Sequence, residues 1–201
     1  MPHMPAPERR RQIVEAAALV IAEVGLERTT TRLIAAEAGV SLSTLHYVFK
    51  DKSAVLTGVF RHLVERDSVL FKTIITEGSG LERGVRIMTL DYLEYMLRDE
   101  PMMMARWEIR FWSSRTPNCE NLAWEFYAVD GEICVAALQR AAGGTLSDDQ
   151  ARQLVLFLFN AIDGVVLQYF AQRDPVAARN SLALMASAAI KEFCSSNQLS
   201  S

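Results

Sequence analysis

The residues best suited to chemistry lie between Thr30 and Lys52, where two short helical segments are predicted to meet at Gly39-Val40-Ser41. The second segment presents hydroxyl, imidazole and phenol side chains on its outer face: Ser43, Thr44, His46 and Tyr47. A purely structural helix would more often carry glutamate and lysine there. Short polar groups and a phenol instead suit close approach to the base edges and phosphates of double-stranded DNA.

The residues around this face predict how it is positioned. Glycine at Gly39 allows the left-handed backbone of a tight turn, and Ser41 can cap the helix that follows. The inward positions are small or apolar, which lets the two helices cross closely: Ile34, Ala35, Ala38, Val40 and Leu45. This is the pattern of a helix-turn-helix whose second helix enters the major groove. An ordinary helical hairpin with a polar face is the alternative.

Nearly every other segment has helical periodicity, and only 10 glycines and 6 prolines interrupt the 201 residues. We predict an all-α fold of about nine helices, with no convincing strand. The predicted helices begin or end near Ile13–Val24, Arg32–Ala38, Leu42–Phe49, Lys52–Ile75, Leu81–Arg98, Pro101–Ser114, Pro117–Gly143, Ser147–Gln172 and Pro175–Cys194. We expect a helix-turn-helix domain over residues 1–52, extending into a linking helix to about 75, and a ligand-binding and dimerisation domain over 53–201.

Composition is that of a globular protein, with 50% hydrophobic and 22% charged residues. The net charge is −3, but residues 1–66 carry nine Lys/Arg against seven Asp/Glu, which permits a DNA-facing N-terminus. We expect no membrane span and no secretion signal. Three cysteines without a CxxC pattern, Cys119, Cys134 and Cys194, predict free thiols in a reducing cytoplasm.

The stretch from about Arg10 to Phe60 resembles the N-terminal domain of the TetR family of transcriptional regulators. The matching residues are Ile13-x3-Ala17, Gly25, Thr29-Thr30, Ile34-Ala35, Ala38-Gly39-Val40-Ser41, Leu45, Tyr47, Phe49 and Lys52. The resemblance implies a three-helix DNA-binding head and a larger body that binds a ligand and dimerises. Members of that family are mostly repressors that a ligand releases from DNA.

Carried over by position, the resemblance implies that Thr30 and Lys52 touch phosphates and that Arg32 reaches a base edge or phosphate. Ser43, Thr44 and Tyr47 would lie on the groove. The full predicted DNA-binding set is Thr30, Thr31, Arg32, Ser41, Ser43, Thr44, His46, Tyr47 and Lys52. His46 replaces a tyrosine common in the family and is either a contact or a partly buried packing residue. Val48 stands where a polar phosphate contact is usual.

In the body, Ala105–Trp112 and Ala161-Ile162-Asp163-Gly164 are similar to the family branch that contains the choline-pathway repressor. This implies the architecture of the body, not choline as the ligand. Adaptable methionines beside aromatic rings are typical of an apolar pocket, although each is also an ordinary core residue. The predicted effector-binding residues are Tyr95, Met103, Trp107, Phe111, Trp124, Tyr127 and Asp163. We expect a small, mostly apolar effector, aromatic or weakly basic.

Two apolar stripes on the last two helices predict a four-helix dimer interface, with internal core as the alternative. The predicted interface residues are Leu154, Leu158, Val165, Met185, Ala189 and Ile190. A homodimer also follows from function, because one short recognition helix reads too few bases alone. We therefore expect a palindromic operator.

No catalytic motif is present in the sequence, and His3, His46 and His62 are not grouped with metal-ligating neighbours. We predict no enzyme activity, no metal and no cofactor. Two alternatives remain: a DNA-binding or protein-interaction module that needs no ligand, and a redox sensor acting through Cys119 or Cys134. An unpaired cysteine is more often an inert packing residue.

Overall fold

A computed structural model describes residues 5–195, and within that range the chain forms nine helices joined by turns. Four helices come first: α1 Ala6–Val24, α2 Thr31–Glu37, α3 Leu42–Val48 and α4 Lys52–Ile74. Helix α5 runs without a break through Leu81–Arg86, a π-helical turn at Ile87–Asp91, and Tyr92–Leu97. The last four are α6 Glu100–Ser113, α7 Asn121–Ala141, α8 Asp148–Gln172 and α9 Pro175–Ser195. The predicted all-α fold is confirmed.

The helices begin where side chains cap their free N–H groups. Thr30 accepts from the Leu33 N–H at 3.2 Å, and Asp99 accepts from the Met102 N–H at 3.2 Å. At the start of α8, the Ser147 hydroxyl and the Gln150 side chain each accept the other residue's backbone N–H. These caps explain why most predicted helix starts fall within a residue or two of the observed ones.

The described residues form two compact units. The first contains the chain up to Arg66 together with Asp99–Phe126, and the second contains Asp67–Arg98 and the chain from Tyr127 onward. In the first unit α1 packs against α2, α3 and α6, and in the second α9 packs against α8 and α5. The boundary at residue 52 separates two predicted functions rather than two compact units, and it remains a prediction.

Each unit has its own close helix contact at a glycine. A Cβ on Gly58 would lie 2.9 Å from Val14 Cγ2, and one on Gly84 would lie 2.9 Å from Leu138 Cδ2. Both distances are too short for an alanine without movement of the neighbouring side chain. The small residue at each position therefore sets how near α4 approaches α1 and how near α5 approaches α7.

One described helix, α8, is long and apolar enough to cross a membrane by length and composition alone. The sequence predicted no membrane span, and core helices of globular proteins meet the same criterion. In α8, 44% of the most apolar stretch is buried within the chain, where it packs against α9. The helix also carries Asp163, which is bonded to a tyrosine hydroxyl.

Candidate DNA-binding and effector sites

The turn between α2 and α3 has the geometry that the sequence predicted. Gly39 adopts φ +61°, in the left-handed region, and the Val40 N–H donates to the Ala35 carbonyl at 2.9 Å. Ala38 and Leu45 are buried beneath the two helices. The turn thus fixes α3 against α2 and leaves its other face to solvent.

That outer face carries the side chains predicted to read DNA. Tyr47 is 90% exposed, and Ser43 and His46 are also exposed. Ser41 caps α3 by accepting from the Thr44 N–H at 3.0 Å, and its Oγ lies 2.8 Å from the hydroxyl oxygens of both Ser43 and Thr44. The exposure of His46 favours the contact interpretation over a packing role.

The remaining predicted contacts lie at the starts of α2 and α4. Arg32 is exposed on the first turn of α2, next to the cap residue Thr30 and the half-buried Thr31. Lys52 differs, because its ammonium donates to the Leu26 carbonyl at 3.0 Å and partial burial lowers its pKa. The side chain therefore ties the start of α4 to the loop after α1, a role that the sequence did not indicate.

Lys52→Ala separates these two roles. If the ammonium also reaches a phosphate, the variant is expected to bind all DNA sequences more weakly and to reduce the salt slope of binding by about one unit. Loss of the bond to Leu26 is expected to lower the free energy of unfolding by about 1–2 kcal/mol. Operator affinity across a salt series and urea unfolding measure the two effects. An unchanged salt slope beside reduced stability would leave Lys52 with the structural role alone.

Helix α6 joins predicted effector residues to the DNA-binding helices within the first unit. Met103 and Trp107 are buried on α6, and the carboxylate of Glu108 accepts from the Leu26 N–H at 2.6 Å. The same carboxylate lies against Gly25, at the C-terminal end of α1. A displacement of α6 would therefore pull directly on the loop that follows α1.

Two predicted pocket residues of the first unit lie at the surface of the chain. Phe111 is 53% exposed, although its ring centroid lies 5.7 Å from that of Trp107. Trp124 is 70% exposed on α7. Neither placement supports a role as an inner pocket wall, because a ligand covered by protein needs buried lining residues.

The second unit brings Tyr127 and Asp163 together. The Tyr127 hydroxyl donates a hydrogen bond to Asp163 Oδ2, and the centroid of the Phe159 ring lies 5.8 Å from that of the Tyr127 ring. Tyr95 is half-buried and stacks on Tyr92 at 6.0 Å between ring centroids. Two of the predicted effector residues, Tyr127 and Asp163, are therefore joined by a direct hydrogen bond.

Sequence reasoning missed a buried acidic cluster in the second unit. Asp67 Oδ2 accepts from the Tyr92 hydroxyl at 2.8 Å, and Asp130 Oδ1 accepts from the Ser68 hydroxyl at 2.6 Å. Both carboxyl groups are almost fully buried. Asp67 falls four residues after Leu63 and four before Phe71, on the inner face of α4, and that spacing was the available signal.

The acidic cluster also affects the thiol of Cys134. Burial raises the pKa of this thiol, and the nearby negative charges of Asp130 and Asp67 raise it further. A thiol that resists ionisation is a poor nucleophile, so the structure gives no support to redox sensing through Cys134. Cys119 is also a free, buried thiol, and the side chain of Cys194 lies outside the described residues. Among the described residues, no group of His, Cys, Asp and Glu could hold a metal ion.

The predicted dimer-interface residues divide into two groups. Leu154, Leu158, Val165 and Ala189 are buried inside the chain, where α8 packs against α9, so they have no surface to offer a partner. Met185 is partly exposed and Ile190 is half-buried. The internal-core alternative therefore describes the first four residues, because the two stripes face each other within one chain.

Comparison with known proteins agrees with the helix-turn-helix geometry. Residues 13–59 match the family model for bacterial regulatory proteins of the tetR family. The chain is 31% identical over 181 residues to the nicotine-responsive transcriptional repressor HdnoR of Paenarthrobacter nicotinovorans, covering 86% of this chain and 88% of that protein. It is 28% identical over 170 residues to the transcriptional regulator BetI of Proteus mirabilis, covering 83% and 82%.

A solved structure gives the same fold over nearly the whole chain. A putative TetR-family regulator from Mesorhizobium loti superposes with a TM-score of 0.72 at 17% identity, covering 94% of this chain and 98% of that one. At that identity the likeness concerns the fold alone. The family assignment comes from the sequence relationship to HdnoR, which extends through the body, and from the match over the DNA-binding helices. The chain therefore belongs to the TetR family of bacterial transcriptional regulators.

Proposed function

We propose that this regulator is a cytoplasmic repressor that binds a palindromic operator as a homodimer and releases it when a small effector enters the body. The observation that carries the proposal is the exposed polar face of α3, held at a fixed angle by the buried α2–α3 turn. The predicted DNA contacts are those at the start of α2 and along α3. The proposed effector and dimer contacts involve other residues of the chain.

The dimer surface is proposed on the outward faces of α8 and α9, next to the residues that the sequence indicated. On α8 the exposed positions recur at helical spacing and include Leu156, Phe157, Gly164 and Leu167. On α9 they include Leu184, Met185 and Ala188. Large apolar side chains beside Gly164 and Ala188 allow a second copy to approach closely. A second copy of the same chain would cover this apolar surface.

The effector is proposed to be a mostly apolar compound with a basic nitrogen. Two features of the second unit support this class: the carboxyl groups of Asp67, Asp130 and Asp163, and the aromatic ring of Tyr92, which bonds Asp67, with its neighbouring rings Phe71 and Tyr95. Carboxylates attract a protonated amine, and aromatic faces attract its cationic centre. HdnoR, the relative from Paenarthrobacter nicotinovorans, is nicotine-responsive, which agrees with a basic effector.

Release of DNA is proposed to pass through α6. Met103 and Trp107 lie on this helix, and Trp107 directly precedes Glu108, whose carboxylate accepts from the Leu26 N–H. An effector that favours a different position of α6 shifts the DNA-binding helices through this bond. By linkage, DNA must then weaken effector binding by the same factor.

Glu108→Ala tests this coupling. In the wild type, an effector found by a screen of tryptophan fluorescence is expected to weaken operator binding by roughly 5- to 150-fold, the usual range of such couplings. In the variant the effector is still expected to bind. It is expected to weaken operator binding by only about twofold or less, because α6 no longer holds the loop after α1. Fluorescence titration and operator binding, each with and without the other ligand, measure both arms.

Glu100→Ala is the matched control, since it removes a carboxylate from the same helix at its other end. This control is expected to keep full release. A Glu108→Ala protein that releases its operator as the wild type does would contradict the proposed route. If no screened compound alters the DNA affinity of the protein, the result favours the alternative of a DNA-binding or protein-interaction module that needs no ligand.

A further inference from the structure

A groove between α1 and α4 lies within the first unit, and none of the predicted effector residues lines it. Its volume is about 340 Å³, and it is open to solvent. Its lining residues are Pro7, Arg10, Arg11, Val14, Gly58, Arg61, His62 and Glu65. The volume is that of a small-molecule site rather than of a bound water or ion.

The walls of the groove are basic, although the chain as a whole has a net charge of −3. Three guanidinium groups and one imidazole face a single carboxylate, so the lining has a surplus of two positive charges with His62 neutral. The Arg61 guanidinium lies 3.3 Å from Glu125, and that of Arg11 lies 3.7 Å from Glu15. Both pairs are exposed, and such pairs contribute little and exchange readily for a better anion.

The floor of the groove is apolar and is fixed by the close approach of its two helices. Gly58 provides no side chain, and a Cβ there would meet Val14 and the Phe49 ring. The guanidinium of Arg10 lies over the same Phe49 ring, 4.2 Å from its centroid, so its position is set by stacking. The groove thus combines an apolar base with positioned positive charge.

The location on α4 favours a small molecule over the operator. Helix α4 begins at Lys52, directly after α3, and each residue advances about 1.5 Å along the axis. Arg61 and His62 therefore lie roughly 14 Å along α4 from its DNA-side end.

We propose that the α1–α4 groove binds a small phosphorylated compound. A phosphate dianion balances the surplus of two positive charges, and guanidinium groups bind phosphate through paired N–H donors. The apolar floor at Val14 and Gly58 accommodates a ring or short chain attached to that phosphate. This site differs from the proposed effector site, because none of its lining residues belongs to that site and it takes a ligand of opposite charge.

Calorimetric titration of the full chain with pyrophosphate, adenosine monophosphate and adenosine tests the proposal. At low salt, pyrophosphate or the monophosphate is expected to bind with Kd below about 1 mM, while adenosine binds more weakly than either. Arg61→Glu is expected to weaken phosphate binding at least tenfold, and Arg11→Glu is expected to act in the same direction. Arg83→Glu, a change at an exposed arginine on α5, serves as the control and is expected to bind like the wild type.

Thermal unfolding of each variant confirms that it is folded before its binding is compared. The proposal is overturned if neither phosphate compound binds the wild type more tightly than it binds Arg61→Glu. It is also overturned if Arg61→Glu lowers operator affinity while the wild type binds no phosphate compound, since the groove would then contact DNA. Operator binding and effector release are measured separately, so failure of this site leaves the proposed repressor function intact.

Discussion

Tyr47→Ala is expected to weaken operator binding by about 1–3 kcal/mol, or roughly 5- to 150-fold, with no loss of stability. Tyr47 is the most exposed large side chain on α3 and makes no contribution to the buried core of the helix-turn-helix. A phenol that is 90% exposed contributes little to the free energy of folding. It contributes to the free energy of binding when DNA covers it. Fluorescence anisotropy with a labelled operator duplex measures the affinity, and urea unfolding measures the stability.

Leu19→Ala is the control for this variant, because Leu19 is also a large exposed apolar residue but lies on α1, outside the predicted contacts. The control is expected to bind the operator as the wild type does. If Tyr47→Ala binds equally well, α3 does not read DNA through this face. If both variants lose affinity together, the effect belongs to the stability of the three-helix head.

Leu184→Arg is expected to convert the dimer to monomer and to reduce operator affinity at least about a hundredfold, because two linked heads bind far more tightly than one. Leu184 is 73% exposed on α9, so the chain itself does not bury it and the substitution is expected to leave each chain folded. An arginine on an apolar interface between copies would be buried without a partner. Sedimentation velocity measures the oligomeric state, and anisotropy measures the operator affinity.

Val129→Arg is the matched control, since Val129 is also an exposed apolar residue of the second unit but lies on α7. A dimeric Leu184→Arg protein would place the interface on other helices. Val165→Arg makes an instructive comparison. Val165 is buried between α8 and α9, so arginine there is expected to unfold the chain rather than to separate two folded copies.

The helices could be predicted because their boundaries depend on local chemistry. Ser41, Asp99 and Ser147 cap helices by bonds to residues within the same turn, and Gly39 supplies a backbone angle that other residues rarely adopt. Each of these signals lies within a few residues of the structure that it specifies. The same locality made the α2–α3 turn and the exposed face of α3 predictable.

The faces of the body helices could not be predicted in the same way. Leu158 and Leu156 are both leucines of α8, yet one is fully buried and the other is 62% exposed. Which stripe faces α9 and which faces outward depends on where α9 lies, and sequence periodicity does not contain that information. The buried position of Asp67 and its bond to Tyr92 depend likewise on how α4 meets α5.

The central claim is that a symmetric dimer reads DNA through α3, and selection of bound duplexes from a random-sequence pool tests it most directly. Repeated selection with the full chain, followed by sequencing, is predicted to yield an inverted repeat. Its half-sites are expected to lie about one helical turn, or roughly 34–36 Å, apart, and the preference for this repeat is expected to weaken in Tyr47→Ala and to disappear in Leu184→Arg. Bound duplexes without a shared sequence, or a single unrepeated site that survives both substitutions, would contradict the account.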